Sequence, residues 1–192
     1  MCISLKRYLP NFLSITRIPL GVMFFLFFTS EHNIFDYTPV IIIVSLLTDY
    51  LDGYLARRLD LLSETGKWLD AFADFLFFFF VYLSFLSTGV MPLLLFILFL
   101  CREILMYSLI RPLSTARKLQ VGAKTSGKAK TALQCIGSLF IAVMSIFFKY
   151  QRISEIFFRR SSLIALILLV SFSIISLYWY IKPLCSCGAR NV

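Results

Sequence analysis

Six stretches of this sequence, roughly 11–29, 39–59, 66–88, 91–110, 127–148 and 162–181, are each apolar enough to form a bilayer-spanning helix of about 20 residues. No other feature limits the fold as strongly. Inside hydrocarbon every backbone N–H and C=O must be paired within the protein, and a single segment can achieve that only as a helix. The expected fold class is therefore all-α: an integral membrane protein with six transmembrane helices. Spans and short connections use nearly all of the 192 residues, and no repeat, Gly-Ser linker or low-complexity tract divides them. Residues 1–192 read as a single transmembrane domain. Lys6-Arg7 before an apolar run resembles the start of a secretory signal, but Thr29-Ser30-Glu31-His32 offers no small-x-small site, so no cleavage is expected.

The cations set the expected orientation. With the N-terminus in the cytoplasm, Lys6, Arg7, Arg57, Arg58, Lys67, Arg111, Arg117, Lys118, Lys124 and Lys128 all lie inside, and the outer connections around 30–38 and 88–91 hold none. The connection 149–160 runs against this pattern, since Lys149, Arg152, Arg159 and Arg160 would lie outside. A net charge of +9 carried at span ends fits anionic lipid headgroups and gives no reason to invoke nucleic acid. The cysteines, Cys2, Cys101, Cys135, Cys185 and Cys187, form neither a paired framework nor a CxxC site. Cys185-x-Cys187 reads as incidental, with acylation or weak metal binding as the alternative. His32 reads as a solvated loop residue.

Of ten acidic residues, four fall in Asp49-x2-Asp52-Gly53-x2-Ala56-Arg57-x8-Gly66-x3-Asp70-x3-Asp74, where desolvation costs most. At about 100° per residue, Asp49, Asp52, Gly53, Ala56 and Arg57 share a sector of roughly 140° on the second span. Gly66, Asp70 and Asp74, spaced i, i+4, i+8, form a stripe on the third. The short turn from Arg58 to Thr65 makes the two helices antiparallel neighbours, so four carboxylates can converge at the cytoplasmic end. Crowded carboxylates raise one another's pKa unless a cation compensates them. Oxygen-only ligands favour Mg²⁺ or Mn²⁺, and two such ions can clamp a phosphoryl group in transfer. Gly53, Ala56 and Gly66 allow either close helix packing or close approach of a flat ligand group to the backbone. Arg57 shares the carboxylate face, whereas Arg58 reads as an anchor.

A second polar set lies further along. Arg102 and Glu103 are deep in the fourth span, as a structural charge pair or as part of an anion site. Arg111 belongs to the cytoplasmic connection, and Lys128 and Lys130 lie at the opening of the fifth span, where free N–H groups also favour an anion. Near the start, Asn11, Ser14 and Arg17 make a polar stripe that either anchors the first helix or faces the aspartates.

The motif from Asp49 to Asp74 resembles the signature of the CDP-alcohol phosphotransferase family at every defined position. That resemblance implies a six-helix bundle, commonly a homodimer in the cell membrane, that moves a phosphoryl group from a CDP-linked alcohol to an acceptor alcohol at a cytosol-facing metal site and releases CMP. It implies that Asp49, Asp52, Asp70 and Asp74 hold two divalent ions, with Asp74 also the general base, and that Gly53, Ala56, Arg57 and Gly66 line the CDP pocket. Pro10-Asn11-x-Leu13-Ser14-x2-Arg17, Arg102-Glu103 and Gly127-Lys128-x-Lys130-Thr131-x2-Gln134 make the chain most similar to the branch using CDP-diacylglycerol and sn-glycerol 3-phosphate. There Asn11 and Ser14 would join the CDP-diacylglycerol site, and Arg17, Arg102, Arg111, Lys128 and Lys130 would hold the acceptor phosphate. Ser14 departs from the usual threonine, 111–125 follows no assignable pattern, and nothing diagnostic remains after about 148.

Two rival readings stand beside this one. A sister enzyme with inositol phosphate or serine as acceptor shares the donor motif; the lysines favour a phosphorylated acceptor without separating the two phosphates. An ion-coupled carrier would also use intramembrane aspartates, but it predicts a midplane site and an inverted repeat that the two halves of this sequence do not show.

Overall fold

A computed structural model describes the backbone of residues 2–30, 33–58, 64–110 and 124–188, with side chains for 15–30, 34–48, 51, 69–108, 129–179 and 181. Among the described residues regular structure is entirely helical: α1 (Cys2–Phe28), α2 (Thr38–Arg58), α3 (Glu64–Ser87), α4 (Leu93–Leu105), α5 (Lys124–Lys149) and α6 (Glu155–Gly188). A 3₁₀ turn, Asn33–Tyr37, leads into α2, and a π-helical turn, Met106–Ile110, extends α4. Leu69–Ser87, Ala129–Lys149 and Glu155–Trp179 are long and apolar enough to cross a membrane, and Ile15–Phe28 and Ile34–Thr48 are shorter apolar helices. Three such helices in one chain are what a membrane protein requires.

The helices outrun the expected spans where polar residues continue the helical path. α1 begins well before residue 11, and α6 begins at Glu155, so the cationic connection 149–160 shrinks to a tight turn. In that turn Gln151 takes a positive φ of 55°, and Arg152 N–H reaches back to the Phe147 carbonyl at 2.9 Å. Arg159 and Arg160 are therefore helical. Arg159 Nε donates to Glu155 Oε1 at 2.7 Å, one turn away, and Lys149 Nζ pairs with Asp36 Oδ1 at 3.3 Å. Two of the four cations that opposed the charge pattern thus carry their own counter-ions.

α1 packs against both α2 and α3, α5 against α2 and α6, and α4 against α3 and α6. Advancing along α1 advances the contact along α3 by nearly the same amount: Arg17 meets Asp74, Gly21 meets Phe77, and Phe28 meets Phe85. The two helices therefore run parallel, with α2 returning between them in sequence. α4 runs against α3, since Phe99 stacks edge-on Tyr82 while Tyr107 lies beside Phe75 and Phe72. The expected direct approach of α2 to α3 at 58–65 falls mostly outside the described residues.

Lipid tails are as apolar as phenylalanine, so tight packing rather than escape from water must hold such a bundle together. Phe77, Phe78, Val81, Tyr82 and Phe85 recur at helical spacing on α3 and form the buried core with Phe24, Phe28, Ile42 and Phe99. Close approach requires glycine at two places. A Cβ on Gly21 would sit 3.1 Å from the Phe77 Cα, and one on Gly137 would meet Leu169 Cδ1 at 2.5 Å. Small hydroxylated residues help α5 and α6 to close: Ser138, Ser145, Ser162, Ser173 and Ser176 are all buried. Ser145 satisfies its own hydroxyl against the Ile141 carbonyl at 2.8 Å.

Candidate functional site

The alternating directions of the helices gather the intramembrane charges at one end. There the start of α3 brings Asp70 and Asp74, α1 brings Arg17, the end of α4 brings Arg102 and Glu103, and α5 brings Lys130. One turn apart on α3, Asp70 and Asp74 point the same way, and both reach a single nitrogen. Arg17 Nη1 donates to Asp70 Oδ1 at 2.8 Å and to Asp74 Oδ1 at 2.5 Å. The arginine side chain is 1% exposed, whereas those of Asp70 and Asp74 are 43% and 26% exposed. The guanidinium thus lies behind the carboxylates, which face outward.

This geometry also tests a divalent ion. Two carboxylate oxygens already converge on one positive charge, and the expected donors are all oxygen, the set that suits a hard cation. Asp70 and Asp74 fit that role. Asp49, Asp52, Gly53, Ala56 and Arg57 lie on α2 and Gly66 on the first turn of α3, but their side chains are outside the described residues. Among the described residues no group of three or more metal-ligating side chains occurs.

Beside the carboxylates lies a buried charge triad. Arg102 Nη1 donates to Glu103 Oε1 at 2.7 Å, Lys130 Nζ donates to the same oxygen, and Arg102 Nε donates to the Ser173 carbonyl of α6 at 3.1 Å. Arg102 and Glu103 thus form the structural pair that the sequence allowed, with Lys130 as third member. Lys130 is the most exposed of the three, at 13% against 4% and 3%, and it lies within electrostatic range of Asp74. It is the triad member with the most open side chain. Because α5 starts at Lys124, Lys128 and Lys130 fall beyond the free N–H groups of its first turn.

Arg111 lies outside the described residues, and so do the side chains of Asn11, Ser14 and Lys128, although their backbones are helical. Sequence reasoning missed Tyr107. The π turn swings its hydroxyl onto the Ala71 carbonyl, between Asp70 and Asp74 in sequence, and packs its ring on Phe75 at 5.5 Å. A Ser-Leu-Ile-Arg-Pro end to the fourth apolar run was the available signal, since a proline ahead disfavours an ordinary helical close.

The sequence description of the CDP-alcohol phosphatidyltransferase family matches residues 7–175, from α1 into α6. Three bacterial proteins named CDP-diacylglycerol–glycerol-3-phosphate 3-phosphatidyltransferase are similar to the chain. That of Treponema pallidum (strain Nichols) is 31% identical over 79% of this chain and 76% of its own length. That of Rickettsia bellii (strain RML369-C) is 31% identical over 68% and 72%, and that of Aquifex aeolicus (strain VF5) is 38% identical over 50% and 53%. With the match spanning every element that builds the charged end of the bundle, the chain belongs to the CDP-alcohol phosphatidyltransferase family.

Proposed function

We propose that this protein transfers the phosphatidyl group of CDP-diacylglycerol to sn-glycerol 3-phosphate, giving phosphatidylglycerophosphate and CMP in phospholipid synthesis. The observation that carries the reading is the outward-facing pair Asp70 and Asp74 inside an apolar helix, in a chain whose relatives bear that activity's name. The family uses divalent metal ions; Asp49, Asp52, Asp70 and Asp74 would hold two, Mg²⁺ or Mn²⁺, which supply positive charge to the phosphoryl oxygens in transfer.

The donor's diphosphate lies across the carboxylate end, its acyl chains remain in lipid, and Gly53, Ala56 and Gly66 leave room for the cytidine group. Asn11, Ser14 and Arg57 complete that side. Asp74 takes the proton from the acceptor's 1-hydroxyl, whose oxygen attacks the phosphorus bearing diacylglycerol while the bond to CMP breaks. Lys130, with Lys128, Arg102 and Arg111, supplies the charge that selects a phosphorylated acceptor. Arg102 contributes from the buried side of the triad, through the net positive charge it leaves on Lys130. The residues 1–192 act as one catalytic domain in the cell membrane, as a homodimer, with the aspartate end toward the cytoplasm.

The test is an acceptor panel: radiolabelled CDP-diacylglycerol with glycerol 3-phosphate, inositol phosphate or serine, with Mg²⁺ and with chelator. Glycerol 3-phosphate alone should yield lipid product and CMP, and chelator should abolish both. Asp70→Asn and Asp74→Asn should each remove nearly all turnover. Product from another acceptor instead would refute the substrate, and near-normal turnover in either variant would refute the site.

A further inference from the structure

We infer that Arg17 is the built-in counter-cation of the Asp70 and Asp74 pair, a positioning residue that braces both carboxylates from inside the bundle. The inference rests on the reading of these aspartates as divalent-ion ligands, and it replaces the acceptor contact that the sequence suggested for Arg17. Three observations carry it. A single nitrogen, Nη1, serves both Asp70 Oδ1 and Asp74 Oδ1. Arg17 is almost wholly buried while its partners are partly open, so an acceptor phosphate arriving from solvent meets the carboxylates first. One turn further along α1, Gly21 lies against the Phe77 backbone, which fixes how far the arginine stands from α3.

Two carboxylates held one helical turn apart repel each other, and a buried guanidinium without partners is equally costly. Each requirement answers the other. Arg17 offsets one of the pair's two negative charges, so the carboxylates are held in direction before any ion arrives. Without it the same geometry leans more heavily on a cation from solution. The cation's stabilising effect should therefore grow when Arg17 is neutralised.

The experiment compares thermal unfolding of the purified full chain in detergent, with Mn²⁺ and with EDTA, for wild type, Arg17→Gln and Arg17→Lys. The rise in Tm on adding Mn²⁺ should be about twofold larger or more in R17Q than in wild type, because linkage adds most where the internal charge is missing. R17K should stay close to wild type in that rise and keep its KM for glycerol 3-phosphate within about twofold, whatever its kcat. An R17Q protein that loses equal stability in Mn²⁺ and in EDTA would overturn the inference, as would a selective rise in KM for glycerol 3-phosphate in R17K. If R17Q cannot be purified, R17Q/D70N should recover folding because the repulsion is gone, and its failure to do so would equally refute the role. A wild-type protein with no response to Mn²⁺ would overturn the ion-ligand reading and this inference together; a wild-type response that R17Q leaves unchanged would overturn this inference alone.

Discussion

Replacing Glu103 with alanine should be among the most destabilising single changes in the described bundle. The carboxylate accepts from Arg102 Nη1 at 2.7 Å and from Lys130, and its side chain is 3% exposed. Truncation leaves two cations that were partners of one anion facing each other, with Arg102 cut off from water. Arg102 keeps its bond to the Ser173 carbonyl, but a dipole offsets a full charge only in part. Breaking a buried pair by deleting one partner costs about 3–5 kcal/mol. For a chain of this length each kcal/mol moves Tm by about 2–4 °C, so a fall on the order of 10 °C is expected. Glu103→Gln, which keeps the shape and one acceptor oxygen, should lose less. Circular dichroism melts in detergent measure both. A melting temperature for Glu103→Ala within about 2 °C of wild type would show that the cations hydrate or reorganise freely, and that the triad does not hold the bundle together.

Two further outcomes follow from the packing and the far end of the bundle. Gly21→Leu should separate α1 from α3, because the added atoms meet the Phe77 backbone, which cannot swing aside, as well as the Phe80 ring; a loss of about 1–3 kcal/mol, read as a lower Tm, is expected. At the other end Tyr150 donates its hydroxyl proton to Asp36 Oδ2, and that bond raises the tyrosine pKa above its ordinary 10.0. The protonated form is favoured in the folded state, so the contribution is complete below pH 10.0 and is lost as pH rises through the raised value. Tyr150→Phe should therefore flatten the alkaline end of the Tm profile while leaving transfer activity near wild type.

The helical class was readable from the apolar runs because hydrocarbon admits no other single-segment solution. The shared direction of Asp70 and Asp74 was readable from helical spacing. That Arg17 faces those carboxylates was one of two readings its stripe allowed, but that one nitrogen serves both was not legible: Arg17 is 53 residues from Asp70, and only the parallel register of α1 and α3 brings them together. Local sequence carries no trace of that register, because it is set by the fit of Gly21 and Phe28 against Phe77 and Phe85. Arg102 and Glu103 are adjacent and could be read as a pair, whereas Lys130 joins them across two helices. The tight turn after Lys149 was hidden for another reason: its cations look like loop charge until Glu155 and Asp36 are seen to neutralise two of them.

The parallel fit of α1 and α3 makes the site sensitive to length as well as composition. One residue inserted between Asp74 and Phe77 would turn both carboxylates by about 100° and move them about 1.5 Å relative to the aromatic packing below. Arg17 could no longer reach both. The same insertion after Phe28 or Ser87, where helices have ended and turns begin, would leave the spacing untouched. The segments Arg17–Phe28 and Asp74–Phe85 behave as two rulers cut to one length, so variants of this enzyme can gain or lose residues in the connections while these two distances stay fixed.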